Sequence, residues 1–550
     1  MDTTKITSTP TVGTVIGTAL AERGLRQAFG VTGSGNFAVT RALVDAGATF
    51  VSARHEAGAM GMADGWSRTT GTTSIVSVHQ GPGFTNLLTP LVEATKSRTG
   101  ILVLAATTPP TRRTSNFWLD QKAVAEAAGA TVLLVDDAER ATATALNAAR
   151  LAASRTVVLL LDTDVLDQPA PATPTAVPRP GHDTPAAPEA SGVAALLDLL
   201  EAADRPVFVA GRGARDASPL LVELAERHGA LLATSAVARG LFAGDPWNLD
   251  VCGGFATDAA ARLVQGADLV VAWGASLNRW TTRSGSLLRD ARVVQVDRDA
   301  TLIGEHEVVD LGVVGDVGVT ARQLLDAGGE ARRGYRTSEV HEQIATGTDW
   351  RNVPYDDAGT ETTIDPRTFT IGVDALLPAA RVVVPDGGNF NGYPAMFLGV
   401  DDADSYCLPL AFQSIALALA TGVGVALAHP ERLVVVGVGD GGFMMAPTEL
   451  DTAVRHGLGL LVLVYDDHAY GAEVHHFGPT GAATDIAEFP DTDLAAVARG
   501  YGCEAVTVRS TADLGPVAEW IAGPRERPLV VDAKIASFPS WVLTHTFSAE

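Results

Sequence analysis

Short apolar runs rich in β-branched residues recur along the whole chain, and helical patterns separate them. In the first third FVSAR and SIVSV flank the helical segment EAGAMGMADGWSR, and the last third holds RVVVPDG, LVVVGVGD, LLVLVYDD and PLVVDAK. Apolar strands that alternate with helices form parallel sheets covered by helices on both faces. The sequence therefore predicts an α/β fold built from open, doubly wound parallel sheets.

Two stretches divide the 550 residues into three parts of about domain size. Residues 165–191 are rich in Pro and Ala, and residues 326–365 are polar and contain several glycines, so both are interpreted as linkers. The expected domains span residues 1–165, 190–328 and 365–550. Each part has its own alternation of strands and helices, so we predict three sheets.

The charge of the chain argues against nucleic acid as a partner. The formal net charge is −24 and no cluster of Lys or Arg is present, whereas a nucleic-acid-binding protein usually carries a basic face. The three cysteines, Cys252, Cys407 and Cys503, are far apart and form no CxxC pair. Buried free thiols are therefore expected rather than disulfides or a zinc site.

The apolar run at residues 408–428 is long enough to raise the question of a membrane span. It contains Gln413, Ser414 and Thr421 and lacks flanking basic residues, so a buried core helix is the better interpretation. The N-terminal sequence has no basic segment followed by an apolar stretch, and no signal peptide is expected. We therefore expect a soluble, cytoplasmic protein with no membrane partner.

The most informative segment lies in the third part, where two successive strands each end in acidic residues. The run 433–438 leads into Gly439-Asp440-Gly441-Gly442, and the run 460–465 leads into Asp466-Asp467. The glycines permit positive φ and let a ligand approach the backbone, and a helix with Pro447 in its first turn is expected to follow. Gly-Asp-Gly alone is more often a plain turn. Parallel strands, however, place both acidic pairs at one carboxyl edge, where Mg²⁺ and phosphate groups fit.

This pattern resembles that of the thiamine diphosphate enzymes related to acetolactate synthase, pyruvate decarboxylase and benzoylformate decarboxylase, whose motif is Gly-Asp-Gly followed downstream by Asn. In this chain Asp466-Asp467 hold the Asn position, which adds a negative charge but keeps an oxygen ligand. The resemblance implies that Asp440 and Asp467 give side-chain oxygens to Mg²⁺ and that Ala469 gives its backbone carbonyl. The positions that it implies for cofactor binding in this segment are Gly439, Asp440, Gly441, Gly442, Asp467, Ala469 and Tyr470.

Glu56 opens a helical pattern directly after the strand that ends near Ala53. In the family that the chain resembles, a Glu in this His-Glu context hydrogen-bonds N1′ of the cofactor's aminopyrimidine and so promotes loss of the thiazolium C2 proton. Apolar neighbours such as Met60 and Met62 would favour a neutral, proton-sharing carboxyl. The alternative is a Glu that stabilises a helix start through the helix dipole.

The first part contains further polar residues that the resemblance places near the substrate. His79 precedes the loop 81–83 and is the counterpart of an active-site His in benzoylformate decarboxylase. Its titration near neutral pH suits proton transfer, and a buried His satisfied by the backbone is an equal alternative. The turn at residues 30–37 resembles the substrate-side turn of the family, with ordinary turn capping as its alternative. The candidates for the substrate pocket are Ser34, Gly35, Asn36, Gln80 and Trp118, with Gln121 as an alternative to Trp118.

The third part adds candidates on both sides of residues 439–442, which are called the diphosphate segment from here on. Ile415 corresponds to an apolar residue that supports the bent cofactor, and Glu473 corresponds to a catalytic Glu of pyruvate decarboxylase. The alternatives are a core Ile at the first position and a solvated loop at the second. The remaining candidates are Gln413, Gly388 and Asn389 for cofactor binding and His475 and His476 for proton transfer.

The middle part carries no convincing nucleotide signature. Residues 210–214 follow a strand but lack the GxGxxG spacing, so nicotinamide binding is unsupported, and FAD is not expected. Members of the family that the chain resembles assemble each site from the first part of one subunit and the third part of another. That implies a homodimer or homotetramer.

The resemblance implies an enzyme that uses thiamine diphosphate and Mg²⁺ to decarboxylate or join a small 2-oxo acid, as acetolactate synthase does. The alternative with the same cofactor is a lyase or hydrolase that cleaves a C–C bond of a ketone or 2-hydroxy ketone without releasing CO₂. A subunit that binds the cofactor without turnover is a third possibility, and the presence of Glu56 argues against it. A Mg²⁺-dependent nucleotide-binding module is the remaining interpretation.

Overall fold

The computed structural model describes residues 10–171 and 186–546. These residues form two six-stranded sheets and one five-stranded sheet, and all strand pairs are parallel. One sheet lies in each of the three predicted parts, which confirms the α/β fold class with three doubly wound parallel sheets. Most of the predicted linker 165–191, residues 172–185, lies outside the described residues.

The first sheet consists of β1 (Gln27–Gly30), β2 (Thr49–Ser52), β3 (Ser74–Val78), β4 (Ile101–Thr107), β5 (Thr131–Val135) and β6 (Thr156–Asp162). Its strand order is β2-β1-β3-β4-β6-β5. Its helices are α1 (Val12–Glu22), α2 (Phe37–Asp45), α3 (Glu56–Thr70), α4 (Pro82–Thr85), α5 (Leu88–Lys96), α6 (Gln121–Ala127), α7 (Ala141–Ala152) and α8 (Thr163–Leu166).

The middle sheet consists of β7 (Pro206–Ala210), β8 (Leu231–Thr234), β9 (Asn248–Val251), β10 (Leu269–Trp273), β11 (Arg292–Asp297) and β12 (Leu311–Val314). Its strand order is β12-β11-β10-β7-β8-β9. Its helices are α9 (Ala190–Ala202), α10 (Ser218–His228), α11 (Asp258–Gln265), α12 (Arg279–Thr282), α13 (Val317–Ala327) and α14 (Ser338–Gly347). The interpretation of residues 326–365 as a plain linker is wrong, because α14 lies within them and packs against α11.

The third sheet consists of β13 (Arg381–Pro385), β14 (Leu433–Gly439), β15 (Leu460–Asp466), β16 (Glu504–Val508) and β17 (Leu529–Lys534), in the order β13-β14-β15-β17-β16. Its helices are α15 (Pro366–Asp374), α16 (Gly392–Phe397), α17 (Ala418–Ala428), α18 (Asp440–Met445), α19 (Glu449–Arg455), α20 (Gly471–Phe477), α21 (Leu494–Gly500), α22 (Gly515–Ala522) and α23 (Trp541–Thr546).

The apolar run at residues 408–428 is only partly helical. The helix begins at Ala418 and is buried, as predicted for a core helix, whereas residues 408–417 form an irregular loop. Gln413 and Ala416 in that loop have positive φ angles of 59° and 71°, which costs non-glycine residues free energy. No helix in the described part of the chain is long and apolar enough to cross a bilayer.

The first and third sheets share one hydrophobic core through the contact between α3 and α17. Met60 and Met62 of α3 are buried in the same cluster as Leu419 and Val423 of α17. The helices approach so closely that a Cβ atom at Gly424 would overlap the backbone of Met62. This contact places the start of α3, where Glu56 lies, beside the helices that follow β14. The three cysteines are free and buried, as predicted.

Candidate active site

The two acidic strand ends lie side by side. β14 pairs in parallel with β15, and Gly439 is the register partner of Tyr465, so Asp440 and Asp467 follow neighbouring strands at the same carboxyl edge. Asp440 is the first residue of α18 and is buried, and Asp467 is half-buried. The edge therefore collects two carboxylates where parallel α/β sheets usually bind ligands.

Burial and nearby negative charges disfavour the ionised forms of Asp440 and Asp467. Burial, with the nearby charges of Asp467 and Asp466, raises the pKa of Asp440 to about 8. Burial also raises the pKa of Asp467 to about 6, although the Ser537 hydroxyl, 3.3 Å from its Oδ2, opposes the shift. A divalent cation between the two side chains would relieve both effects. The donor set, carboxylates and nearby backbone, is the kind that Mg²⁺ prefers, so these residues fit the metal.

Asp466, unlike Asp467, is engaged by basic side chains. Its Oδ2 lies 2.5 Å from Lys534 Nζ, and its Oδ1 lies 2.9 Å from Nδ1 of His468. Asp491 is 2.8 Å from the same ammonium group. Asp466, His468 and Asp491 converge closely enough to resemble a metal site, but the ammonium of Lys534 already supplies the cation there. Asp440 and Asp467, in contrast, have no Lys or Arg partner in the described part of the chain.

The glycines of the diphosphate segment are required by close packing. The positive φ that glycine permits does not occur at Gly439, Gly441 or Gly442, none of which has a left-handed backbone. A Cβ at Gly441 would lie 2.5 Å from the Tyr470 ring, and a Cβ at Gly442 would lie 2.7 Å from Asp386 Oδ2. The helix expected to contain Pro447 is also different, because α18 ends at Met445 and α19 begins at Glu449.

Asp386 holds the loop that carries Ile415. Its fully buried carboxylate accepts hydrogen bonds from the backbone N–H groups of Ala416, at 2.6 Å, and Leu417, at 3.1 Å. Burial raises the pKa of this carboxyl to about 6. Ile415 is half-buried rather than enclosed in the core, and the nearby Gln413 is exposed with its amide bonded to the Leu410 carbonyl at 2.7 Å.

Both polar groups of the Asn389 side chain bond to the C-terminal segment. Its amide donates to the carbonyl of Phe538 at 2.9 Å, and its Oδ1 accepts from the N–H of Ser540 at 2.8 Å. The side chain therefore anchors the C-terminal segment, and the hypothesis that it binds the cofactor directly is unsupported by its contacts. Its neighbour Gly388 has a φ of 126°, which requires glycine.

Glu56 is the first residue of α3 and is half-buried. The Asn86 amide donates to Glu56 Oε2 at 2.9 Å, and His55 caps the helix through Nδ1, which accepts from the N–H of Ala57 at 3.1 Å. The carboxylate is thus oriented by one amide and remains partly accessible. That arrangement suits a carboxyl group that exchanges a proton with a ligand.

His79 lies at the end of β3 near Glu56. Its Nδ1 accepts a hydrogen bond from the N–H of Gly35 at 3.1 Å, and its ring makes an edge contact with Phe117 at 5.1 Å. Burial lowers the pKa of His79, although the charge of Glu56 opposes the shift. A neutral ring that accepts at Nδ1 carries its proton on Nε2.

The remaining first-part candidates divide into internal and surface positions. Asn36 is fully buried and closes its own turn, with Oδ1 accepting from the N–H of Gly33 at 2.7 Å, which favours the turn-capping alternative. Ser34 is exposed. Gln80 is buried, and its Oε1 has no hydrogen-bond partner among the described residues. Gln121 accepts from the N–H of Gly81 at 3.1 Å and so fixes the loop 81–83.

Helix α20 and the loop beside His79 supply the other candidate side chains. Glu473 and His476 are exposed, and His475 is half-buried with Nε2 3.2 Å from Ser537 Oγ. Ser537 thereby connects His475 to Asp467, and burial lowers the pKa of His475. Trp118 is half-buried beneath the guanidinium of Arg113, at 5.2 Å. Ala469 is buried and bridges to Glu488.

Three residues in contact with this site were not among the sequence candidates. Glu449 accepts from the backbone N–H of His55, and Asn86 donates to the carboxylate of Glu56. Ser537 donates to the carboxylate of Asp467. Asn86 follows the loop 81–83 and was within reach of a motif argument. No local sequence pattern marks Glu449 or Ser537 as part of the site, because the residues that they contact are distant in the sequence.

Comparison with known proteins shows to which family the three domains belong. Residues 10–126 match the N-terminal TPP binding domain of thiamine pyrophosphate enzymes, residues 193–324 match their central domain, and residues 386–533 match their C-terminal TPP binding domain. Sulfoacetaldehyde acetyltransferase of Roseovarius nubinhibens is 28% identical over 90% of this chain and 87% of its own length. The acetolactate synthase large subunit of Parasynechococcus marenigrum is 27% identical over 83% and 76%. Acetolactate synthase of Mycobacterium leprae is 26% identical over 88% and 80%.

Proposed function

Because the chain belongs to the thiamine pyrophosphate enzyme family, we propose that it uses thiamine diphosphate and Mg²⁺ to decarboxylate a 2-oxo acid or to join the acyl part to an acceptor. The observation that carries this proposal is the pair Asp440 and Asp467 at one sheet edge, whose raised pKa values call for a cation. Glu56 at the start of α3, contributed by a second copy of the chain, supplies the second half of the site. The acetolactate synthases among the relatives support this reaction class.

The proposed roles follow from the side-chain contacts. Asp440, Asp467 and the carbonyl of Ala469 would hold Mg²⁺, which would supply positive charge for the diphosphate. When bound, thiamine diphosphate supplies a nucleophilic carbon for the carbonyl of the substrate. Glu56 exchanges a proton with the aminopyrimidine, and Asn86 keeps that carboxylate oriented with its 2.9 Å hydrogen bond.

His79 is proposed to handle a proton at the substrate. Its Nδ1 is engaged by Gly35, so the neutral ring offers the Nε2 proton. Burial keeps the ring neutral near pH 7, which is the form that donates a hydrogen bond to a carbonyl oxygen without carrying charge. Glu473, His475 and His476 on α20 are proposed as a second proton-transfer group, and His475 is connected to Asp467 through Ser537.

Assembly from at least two copies is part of the proposal. Met445, at the end of α18, is 60% exposed, and Ile486, beyond α20, is 88% exposed. Large apolar side chains left uncovered next to a binding edge are typical of an interface. A second copy that contributes its first part, with Glu56, would cover them and complete the site.

Acyl transfer without release of CO₂ is the second candidate function. The relatives named sulfoacetaldehyde acetyltransferase favour it. The same Asp440, Asp467 and Glu56 would serve both reactions, so these residues do not discriminate. The two proposals differ in whether the bond that breaks is the one between the carbonyl carbon and a carboxylate group, which is then released as CO₂.

The deciding experiment measures CO₂ and product masses from a panel of 2-oxo acids and from sulfoacetaldehyde with phosphate, with and without thiamine diphosphate and Mg²⁺. The Glu56→Gln variant is assayed beside Glu126→Gln, an exposed Glu of the same sheet domain. Cofactor-dependent CO₂ release that is lost only in Glu56→Gln supports decarboxylation, and the product masses separate an aldehyde from an acyloin.

Other outcomes redirect or contradict the proposal. Cofactor-dependent turnover of sulfoacetaldehyde without CO₂ supports acyl transfer. Failure of the protein to bind thiamine diphosphate in the presence of Mg²⁺, measured by calorimetry, contradicts both candidate functions.

A further inference from the structure

The loop before α17, residues 408–417, is called the α17 loop below and has an unfavourable backbone conformation. It carries Ile415, the residue expected to support the bent cofactor. Gln413 and Ala416 within it have positive φ angles of 59° and 71°. Such a backbone persists in non-glycine residues only where surrounding contacts hold it. The α17 loop therefore depends on groups outside itself for its conformation.

Two buried carboxylates from different domains hold the α17 loop. Asp386 of the third domain accepts from the N–H of Ala416 at 2.6 Å. Glu93 lies on α5 of the first domain and is 1% exposed. Its Oε2 accepts from the N–H of Phe412 at 2.7 Å. The two contacts lie on either side of residues 413–415, so the two domains fix this part of the loop together.

The other oxygen of Glu93 is engaged inside the first domain. Its Oε1 lies 2.6 Å from Nη2 of Arg68 and accepts from the Ser97 hydroxyl at 3.1 Å. Asp64 lies 2.7 Å from Nε of the same arginine, so the guanidinium has a second carboxylate partner. Arg68 also donates to the carbonyl of Leu408 at 2.8 Å, at the start of the α17 loop.

The contact between Glu93 and Phe412 is therefore not needed to balance charge. Arg68 is already matched by Asp64 and by Oε1 of Glu93. A hydrogen bond from a backbone N–H to a carboxylate is charge-assisted and is stronger than one between neutral groups. In a buried position water competes little with it. The Oε2 contact thus stabilises one conformation of the α17 loop.

We propose that Glu93 is a positioning residue for the cofactor, because it holds the α17 loop, through the N–H of Phe412, in the conformation that presents Ile415. This inference rests on the proposed function. Glu93 is almost fully buried and acts through the loop rather than by touching the cofactor. If fewer molecules hold the loop in that conformation, the apparent affinity for thiamine diphosphate falls by the same fraction.

Two variants remove the contact with the loop in different ways. Glu93→Asp keeps the charge beside Arg68, but its shorter side chain cannot also reach Phe412. Glu93→Gln has a single oxygen, which the charge of Arg68 attracts, so its NH₂ group faces the N–H of Phe412. We expect about tenfold weaker thiamine diphosphate binding in both variants, and a similar slowing of C2 proton exchange at saturating cofactor. Glu93→Asp decides the matter where loss of the charge prevents Glu93→Gln from folding.

Ser97→Ala is the matched control. It removes a hydrogen bond to Oε1 of Glu93 in the same buried cluster and leaves the bond between Oε2 and Phe412 in place. Damage to the cluster as a whole should therefore appear in the thermal unfolding of Ser97→Ala as well. Its affinity for thiamine diphosphate and its C2 exchange rate should stay near those of the wild type.

Hydrogen–deuterium exchange of the cofactor-free proteins tests the loop contact apart from the proposed function. We expect amide exchange in residues 408–417 to be about tenfold faster in Glu93→Asp than in the wild type and in Ser97→Ala. Unchanged amide exchange in Glu93→Asp, wild-type cofactor affinity and C2 exchange in that variant, or an equal loss in Ser97→Ala overturns the inference alone. Failure of the wild type to bind thiamine diphosphate with Mg²⁺ contradicts the proposed function, and the positioning role falls with it.

Discussion

The buried carboxylate of Glu449 accepts a hydrogen bond of 3.0 Å from the backbone N–H of His55, the residue directly before Glu56. The same Oε1 accepts from the N–H of Arg54 at 3.1 Å. A Cβ at Gly58 would overlap this carboxylate, so Glu449 sits directly against the first turn of α3. Glu449 begins α19, the second helix after β14. It therefore connects the part of the chain that carries Asp440 to the turn directly before Glu56.

Glu449 is therefore expected to act as a positioning residue. Glu449→Ala leaves two backbone N–H groups without an acceptor and frees the turn before Glu56, so we expect kcat to fall about 10- to 100-fold. The KM for thiamine diphosphate should change less than kcat. The specific readout is the rate at which the bound cofactor exchanges its C2 proton for deuterium, because that step depends on Glu56. Glu449→Gln keeps an oxygen acceptor and should recover part of the rate.

Asp451→Asn is the matched control for Glu449. It removes the ion pairs that the half-buried Asp451 makes with Arg54 and Arg455, each at 2.6 Å, on the same helix as Glu449. These pairs do not involve the backbone N–H groups before Glu56, so C2 exchange should stay near the wild-type rate. A Glu449→Ala protein that binds the cofactor and exchanges C2 at the wild-type rate would contradict the positioning role.

Gly442 is expected to tolerate no side chain. A Cβ there would lie 2.7 Å from Asp386 Oδ2, the atom that accepts from the N–H of Ala416. Gly442→Ala must therefore shift the loop that carries Ile415, at a cost of about 1–3 kcal/mol of unfolding free energy, and should weaken thiamine diphosphate binding. Gly500→Ala is the control, because a Cβ added there would meet no atom within 4 Å. Equal effects of the two substitutions on cofactor affinity would refute this explanation.

Asp467 is expected to remain replaceable by the Asn that the related enzymes carry. Asp467→Asn keeps an oxygen ligand but removes a charge that raises the pKa of Asp440. We expect about tenfold weaker Mg²⁺ binding with retained turnover at saturating metal, whereas Asp440→Ala should abolish metal-dependent activity. Mg²⁺ titrations at fixed thiamine diphosphate measure both. Asp485→Asn, an exposed position beyond α20, should leave the titration unchanged, and an identical titration for Asp467→Asn would exclude Asp467 as a ligand.

Local pattern was sufficient for the sheets and for one edge of the site. The runs around Val436 and Val462 are apolar on both faces, which only a covered parallel sheet accommodates, and β14 and β15 pair as expected. Once those strands are parallel neighbours, Asp440 and Asp467 must share an edge. No further tertiary information was needed for that step.

Long-range contacts were beyond the reach of the sequence. Asn389 is held by Ser540 at the far end of the chain, and the loop before Ala418 is fixed by Asp386, so neither the role of Asn389 nor the helix start could be derived from spacing. The glycines of the Gly-Asp-Gly segment illustrate the same limit. Their composition signals a close approach, but only the structure identifies Tyr470 and Asp386 as the approaching groups.

His228 should make the middle domain sensitive to acid. The residue ends α10, is 1% exposed, and has no hydrogen-bond partner for either ring nitrogen among the described residues. Burial, with the positive charges of Arg227 and Arg332, lowers its pKa from 6.5 to about 4. As pH falls below 6.5 the unfolded chain takes up a proton that the folded chain refuses until about pH 4, so stability is complete above pH 6.5 and is lost across that window.

The loss is on the order of 3–4 kcal/mol, at about 1.4 kcal/mol for each pKa unit. Urea midpoints measured at several pH values between about 7 and 4 should therefore decline more steeply in the wild type than in His228→Leu, which cannot bind the proton. His306→Leu replaces an exposed histidine of the same domain and should keep the wild-type decline. If the midpoints of His228→Leu fall as steeply as those of the wild type, the acid sensitivity originates in other groups, because the substituted side chain has no proton to take up.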